Sequence, residues 1–171
     1  MVIASNENTQ IRLATDNDFE DIFSIWLDGI NTSFDKELIE ENTLKEKFSL
    51  NYSSRQGIFN FWVAVDNQNN VLGWQSLIKT SNNPFRENTF AESSTYISNE
   101  NRYKGVGKLL LDFVMKEAEK SPLEYVIGFV SIHNEAAKKI TQETGWVEVG
   151  QMPPSKSNNS NILKSFLVRP V

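Results

Sequence analysis

The chain has 171 residues, 39% of them hydrophobic and 23% charged, with a net charge of −5. That is the size of one ordinary globular domain with its own core, and it lacks the basic field that would favour nucleic acid. With no cysteine and one histidine, His133, disulfides, thiol nucleophiles, zinc fingers and a histidine-rich metal site are excluded.

Taken in chain order, the sequence predicts alternating strands and helices. TQIRLAT (9–15) sets Ile11 and Leu13 against Arg12 and reads as a first strand. Thr15, with Asp18 three residues on, resembles an N-cap, and Phe19, Ile22, Phe23, Trp26 and Ile30 follow at helical spacing. A weaker helix is expected over about Thr43 to Asn51, with Leu44 and Phe48 inward and Lys47 lending its stem. FNFWVAVD (59–66), the turn NQNN and VLGWQSLIKT (71–80) read as a hairpin. NTFAESSTYIS (88–98) is a fourth strand. Gly105 to Lys120 is a helix with Val106, Leu109, Leu110, Phe113 and Val114 inward, and Pro122 lies beyond its end. LEYVIGFVS (123–131) is almost continuously apolar, which predicts a strand buried on both faces. Asn134 to Thr144 is a helix closed by Gly145. WVEVGQM and ILKSFLV form a last hairpin around the polar loop PPSKSNNSN. The expected fold is α/β, a single domain over 1–171 with its core in about 9–169, in the order β-α-α-β-β-β-α-β-α-β-β.

The most informative stretch is NRYKGVGKLL, residues 101–110. Gly105 and Gly107 let the backbone come close to a ligand, and Arg102, Lys104 and Lys108 supply positive charge. The helix that follows presents unpaired N–H groups and a partial positive charge at its start. Strand, glycine loop and helix together make an anion cradle. It lacks the ending of a nucleotide P-loop and the third glycine of a dinucleotide fingerprint. A solvated turn with glycines for geometry is the alternative reading of the loop by itself.

The flanks extend this. ESSTYISNENRYKGVGKLLLDFVMKEAEK (92–120) resembles the GCN5-related N-acetyltransferase (GNAT) family, whose pattern Gln/Arg-x-x-Gly-x-Gly/Ala matches Arg102-Tyr103-Lys104-Gly105-Val106-Gly107 in full. SIHNEAAKKITQETGW (131–146) resembles the family's next block, with Asn134 opening a helix and Gly145-Trp146 closing it. IRLATDNDFEDIFSIW resembles its opening strand and helix. Within the family, AESSTYIS (91–98) and FWVAVDNQNNVLGW (61–74) are similar to the phosphinothricin-acetyltransferase-like branch.

The resemblance implies an enzyme that moves an acetyl group from acetyl-CoA, with no metal, to the primary amine of a small molecule such as an amino acid, phosphinothricin or methionine sulfoximine. Alternatives are an acetyltransferase of protein or peptide N-termini and a non-catalytic acyl-CoA-binding module. The resemblance implies that residues 102–108, Tyr103, Val106 and Lys108 among them, hold the pyrophosphate. It implies that Tyr96 and Ile97 offer backbone groups to the pantetheine arm, that a bulge somewhere in their strand re-aims its backbone, and that Asn134 touches that arm or an ordered water. Capping its own helix is the competing role for Asn134. Glu92 is the expected base, since an alkylammonium of pKa near 10 must lose its proton before it can attack. A glutamate among small and apolar strand residues is otherwise out of place. Phe34 and Trp74 are candidates to line the acceptor pocket, and Arg86 to meet an acceptor carboxylate. Where many members carry a Tyr or His that protonates the leaving thiolate, this chain has Thr141, a poor acid. His133 reads as structural. The expected location is cytoplasmic, with no membrane or nucleic-acid partner, and the resemblance admits a homodimer.

Overall fold

The computed structural model describes residues 4–6, 8–33, 40–102, 105–154 and 163–171. Phe34, Tyr103 and Lys104 fall outside the described residues. The strands are β1 (Ala4–Asn6), β2 (Thr9–Leu13), β3 (Phe61–Val65), β4 (Val71–Lys79), β5 (Phe90–Ile97), β6 (Tyr125–Ser131), β7 (Val147–Gln151) and β8 (Lys164–Pro170). The helices are α1 (Phe19–Ser33), α2 (Glu41–Ser53), α3 (Val106–Ala118) and α4 (Glu135–Glu143). The strands form one sheet in the order β1-β2-β3-β4-β5-β6-β8-β7. Neighbours are antiparallel except β5 and β6, which run parallel. The fold is therefore mixed α/β, with the expected elements in the expected order and β1 added at one edge. Among the described residues no helix is long and apolar enough to cross a membrane.

Alternation along the strands sends apolar side chains to two separate cores. On one face α3 lays Leu110, Leu111, Val114 and Ala118 against Ile11, Trp62, Ala64, Leu77, Ala91 and Val126. On the other, α1 and α2 pack Ile22, Phe23, Phe48 and Tyr52 on Phe61, Val63 and Trp74. β3 is buried along its whole length because it feeds both cores. Phe48 anchors the otherwise polar α2 among the rings of Phe19, Phe23, Trp26, Phe61 and Trp74, with centroids 4.9–6.1 Å away. Offset and edge-on contacts of this kind add to the area they bury.

The first connection is fixed by charge. Thr15 precedes a short 3₁₀ turn, Asp16–Asp18, that leads into α1. The buried Asp18 carboxylate accepts two bonds from the Arg12 guanidinium, both 2.8 Å, and one from the Thr15 N–H at 2.7 Å. Burial pushes its pKa up, but Arg12 and Thr15 together outweigh burial and hold it below the usual value. A carboxylate depressed in this way stabilises the fold above its unfolded pKa, and the stabilisation is lost as pH falls through the folded value. Asp18→Ala leaves the Arg12 charge without its partner and should cost about 3–5 kcal/mol in urea unfolding at pH 7. A loss below about 1 kcal/mol would reduce the pair to an ordinary surface bridge.

One expectation is corrected here. The apolar run of β6 is not buried on both faces. Val126 and Gly128 face the α3 core, while Tyr125 and Phe129 on the other face remain 39% and 38% exposed. Among the described residues the cluster under α1 and α2 takes no residue from β6, β7 or β8, and that half of the face carries no helix layer. Its aromatic rings cover one another instead, with Phe90 against Tyr125 and Phe129 against Phe166, each 5.3 Å between centroids.

Candidate active site

β5 and β6 are paired only from Phe90 to Glu92, opposite Tyr125 to Ile127. Beyond Glu92 they part. From Ser93 to Ile97, β5 has β4 on one side, and among the described residues no strand on the other. From Gly128 to Ser131, β6 is paired with β8 alone. A wedge-shaped gap opens in the middle of the sheet, and one side of it is a row of strand N–H and C=O groups available to an extended ligand. The bulge expected in this strand is absent against β4, because the register runs unbroken from Lys79↔Ala91 to Gly73↔Ile97. The gap arises from strand divergence.

The β5 edge is held by a network that sequence reasoning missed. Gln75, 0% exposed in β4, donates to Ser93 Oγ at 2.5 Å and accepts from the Thr95 hydroxyl. Ser93, Thr95 and Ile97 therefore point to the α3 face, and Glu92, Ser94 and Tyr96 to the α1 face. A satisfied buried network of this kind rigidifies the edge it supports.

The glycine loop sits at the open end of the gap. Gly105 holds φ 79°, a left-handed conformation that favours glycine. It starts α3 with no side-chain cap, so among the described residues the first-turn N–H groups of Val106, Gly107 and Lys108 have no side-chain acceptor. Positive backbone ends at the mouth of a gap fit an anion such as a pyrophosphate. Arg102 is exposed there. Lys108 pairs with Asp112 at 2.9 Å, which raises its pKa through the hydrogen bond and the charge. Val106 is buried in the core. The backbone and not the Val106 side chain can serve a ligand.

Glu92 is half-buried at the point where the strands part. Among the described residues its carboxylate has no hydrogen-bond donor. Burial pushes its pKa up, against a smaller downward pull from the charge of Lys164. Lys164 is half-buried and shifted the opposite way, down by burial and partly back up by Glu92. Tyr96 stacks on Trp74 at 5.0 Å, and burial raises its phenol pKa. Ile97 turns its side chain to α3. Both positions leave the gap-side backbone of β5 clear. Trp74 is 2% exposed, and its indole N–H donates to the Ile22 carbonyl at 3.0 Å, so it is a core residue. Arg86 is exposed in the loop before β5, at the opposite end of that strand from the glycine loop.

Asn134 caps α4, its Oδ1 accepting from the Ala137 N–H at 3.1 Å. The Thr141 hydroxyl donates to the Lys138 carbonyl of its own helix at 2.9 Å. A weak acid with its proton engaged in this way is a poor donor to a thiolate. Thr141→Val should change kcat by less than tenfold, short of the usual general-acid contribution of about 10²–10⁴. A loss of about a thousandfold in steady-state assays would show that the hydroxyl takes part in chemistry. Among the described residues no group of three or more His, Cys, Asp or Glu side chains could hold a metal ion.

The chain is similar in sequence and fold to known proteins. A family model described as an acetyltransferase (GNAT) domain matches residues 9–147. A Bacillus subtilis (strain 168) protein, YwnH, provisionally named as a phosphinothricin acetyltransferase, is 30% identical over 146 residues, covering 84% of this chain and 86% of its own. A crystal structure provisionally named as a phosphinothricin N-acetyltransferase aligns with a TM-score of 0.79 at 26% identity, over 95% of this chain and 98% of that one. A Sinorhizobium meliloti phosphinothricin acetyltransferase in complex with acetyl-CoA shares the fold, with a TM-score of 0.78 at 20% identity, over 95% and 88% of the two chains.

Proposed function

The chain belongs to the GNAT acetyltransferase family, and from that premise we propose that it moves the acetyl group of acetyl-CoA to the primary amine of a small molecule. Relatives are named for phosphinothricin, and an amino acid, or a compound like phosphinothricin or methionine sulfoximine, is the acceptor class of this proposal. The observation that carries the reading is the gap between β5 and β6, with a half-buried carboxylate at its apex and an uncapped helix start at its mouth.

The residues fit that cosubstrate. The first-turn N–H groups after Gly105 would take the pyrophosphate, and the free edge from Ser93 to Ile97 would take the pantetheine amides as an added strand. Acetyl-CoA supplies the activated acyl group as a thioester. Glu92 takes the proton of the incoming ammonium, directly or through a water, so that the neutral amine can attack. Burial raises its pKa towards the range where a base works best at neutral pH. A β5 backbone N–H polarises the acetyl carbonyl. With Thr141 engaged in its own helix, the thiolate leaves without help from that position.

The test is CoA release from acetyl-CoA over a panel of primary amines, with mass spectrometry of the product. Amine-dependent release with an N-acetyl product supports the reading. Tight acetyl-CoA binding with no transfer to any amine would make the protein an acyl-CoA binder.

A further inference from the structure

Two adjacent residues stand at the apex of the gap and face opposite sides of the sheet. Glu92 turns to the α1 face. Ser93 is the first β5 residue beyond the pairing with β6, and it sits directly opposite Leu77 of β4. Leu77 and Ala91 belong to the α3 core, so Ser93 shares that face. Level with it across the gap is Gly128 of β6. A Cβ at Gly128 would meet the Trp146 ring at 3.2 Å, so an indole edge takes the place of a side chain and makes an apolar wall.

The hydrogen bonds around Ser93 have a direction. The buried Gln75 amide donates one N–H to Ser93 Oγ at 2.5 Å, while its carbonyl oxygen accepts the Thr95 hydroxyl proton. The same amide nitrogen lies 3.4 Å from the Ser76 carbonyl oxygen, in agreement with that direction. Thr95 therefore has its proton engaged. Ser93 accepts at its oxygen, and among the described residues its own proton has no acceptor. Accepting one hydrogen bond makes a hydroxyl a stronger donor of the next. A half-buried O–H of this kind thus stands at the apex on the α3 side.

On the acetyl-transfer reading the pyrophosphate lies at the start of α3. The pantetheine arm then enters along β5 from the α3 side, and its sulfur reaches the apex beside Ser93. The amine meets Glu92 on the other side. Attack from one face of the sheet expels sulfur towards the other.

We propose that the Ser93 hydroxyl, aimed by Gln75, donates a hydrogen bond to the sulfur of acetyl-CoA as the thiolate leaves. The inference rests on the acetyl-transfer reading and goes beyond it. It names a donor on the leaving-group side, where the Thr141 proton is engaged in its own helix. The C–N bond forms, the C–S bond breaks, and sulfur keeps its electron pair. Glu92 takes one proton of the ammonium and passes it to solvent. The nitrogen loses a second after attack, and that one reaches the released sulfur through water. Ser93 keeps its own proton, because an alkyl hydroxyl is a far weaker acid than a thiol of pKa about 8.5.

The experiment measures kcat and KM for acetyl-CoA with an accepted amine, in wild type, Ser93→Ala and Ser93→Thr. It also titrates the thiol of CoA bound to each protein by the ultraviolet absorption of the thiolate. Ser93→Ala should lower kcat by roughly 10- to 100-fold with KM little changed, as expected for one hydrogen bond to a charged group. The thiol of CoA bound to wild type should titrate about one to two pH units below that of free CoA, and Ser93→Ala should bring it back. Ser93→Thr keeps a hydroxyl and should retain most of both effects. An unchanged kcat in Ser93→Ala would overturn the inference and leave acetyl transfer standing. So would a loss of kcat with the bound thiol titrating as in wild type, the pattern of a merely structural role. No CoA release by wild type with any amine would remove the acetyl-transfer reading, and this inference with it. Should Ser93→Ala fail to fold by circular dichroism, the wild-type titration decides, and a bound thiol no more acidic than that of free CoA would overturn the inference.

Discussion

Glu92→Gln is expected to lower kcat/KM at pH 7 by roughly 10²-fold or more, within the general-base range. The substitution keeps the size of the side chain and removes its basicity. The amine arrives mostly protonated, and Glu92 is the carboxylate at the apex where β5 and β6 part. The deficit should shrink as pH rises towards the pKa of the amine, about 10, where free amine no longer needs a base. Affinity for CoA should be almost unchanged by calorimetry. Stability should move the other way. Burial raises the Glu92 pKa, so this group stabilises the fold below its unfolded pKa, and that contribution is lost as pH rises through the folded value. At pH 7 the ionised form is the unfavourable one, and the neutral glutamine should leave Tm equal or slightly higher. A stable, folded variant with the same deficit at pH 7 and pH 9.5 would assign Glu92 a positioning role. One with no deficit at either pH would remove it from the mechanism.

Gly107→Glu is expected to abolish measurable CoA binding while the fold survives. A Cβ at Gly107 would meet Ile97 at 3.6 Å and Ile140 at 3.8 Å, which is ordinary contact. Packing within the chain therefore tolerates a side chain there, pointing between the end of β5 and α4. A carboxylate in that place repels a pyrophosphate and blocks the first-turn N–H groups. Losing two hydrogen bonds to an anion, at about 1.5–3 kcal/mol each, corresponds to roughly 10²- to 10⁴-fold in affinity. Gly107→Ala should keep the fold and lose less. Gly105 differs, because its φ of 79° strains any other residue whether or not a ligand is present. Unchanged CoA affinity in a natively folded Gly107→Glu protein would overturn the pyrophosphate assignment.

The local signals in the sequence were the ones that held. Helical spacing from Phe19, the cap at Asn134 and the left-handed Gly145 that ends α4 each depend on a few neighbouring residues, and each is found where the pattern puts it. The glycine loop follows the same rule, since a left-handed Gly105 ahead of a helix is a local requirement. What was not legible depends on distant parts of the chain. Tyr125 and Phe129 read as buried because their strand is apolar throughout. Whether a helix covers them is decided by where α1 and α2 stop. β1 is three polar or small residues, Ala4-Ser5-Asn6, held by pairing with β2 and not by any apolar alternation of its own. Gln75 is a polar residue in a largely apolar strand, and that incongruity does not say that it braces β5. The parting of β5 and β6 has no sequence signature in either strand.

The insertion of β8 between β6 and β7 has a consequence for synthesis. On the ribosome β6 and β7 emerge before β8, yet β6 pairs with β7 only through it. A nascent chain can assemble β1 to β5 with α1 to α3 as a local, sequential unit. The far lip of the gap, with Lys164, must wait for residues 164–170 to leave the exit tunnel. Until then the apolar β6 exposes an unpaired edge, the kind of surface that chaperones bind and that aggregates when translation stalls. Hydrogen exchange on ribosome-bound chains arrested before residue 164 should find β2 to β4 protected and β6 open.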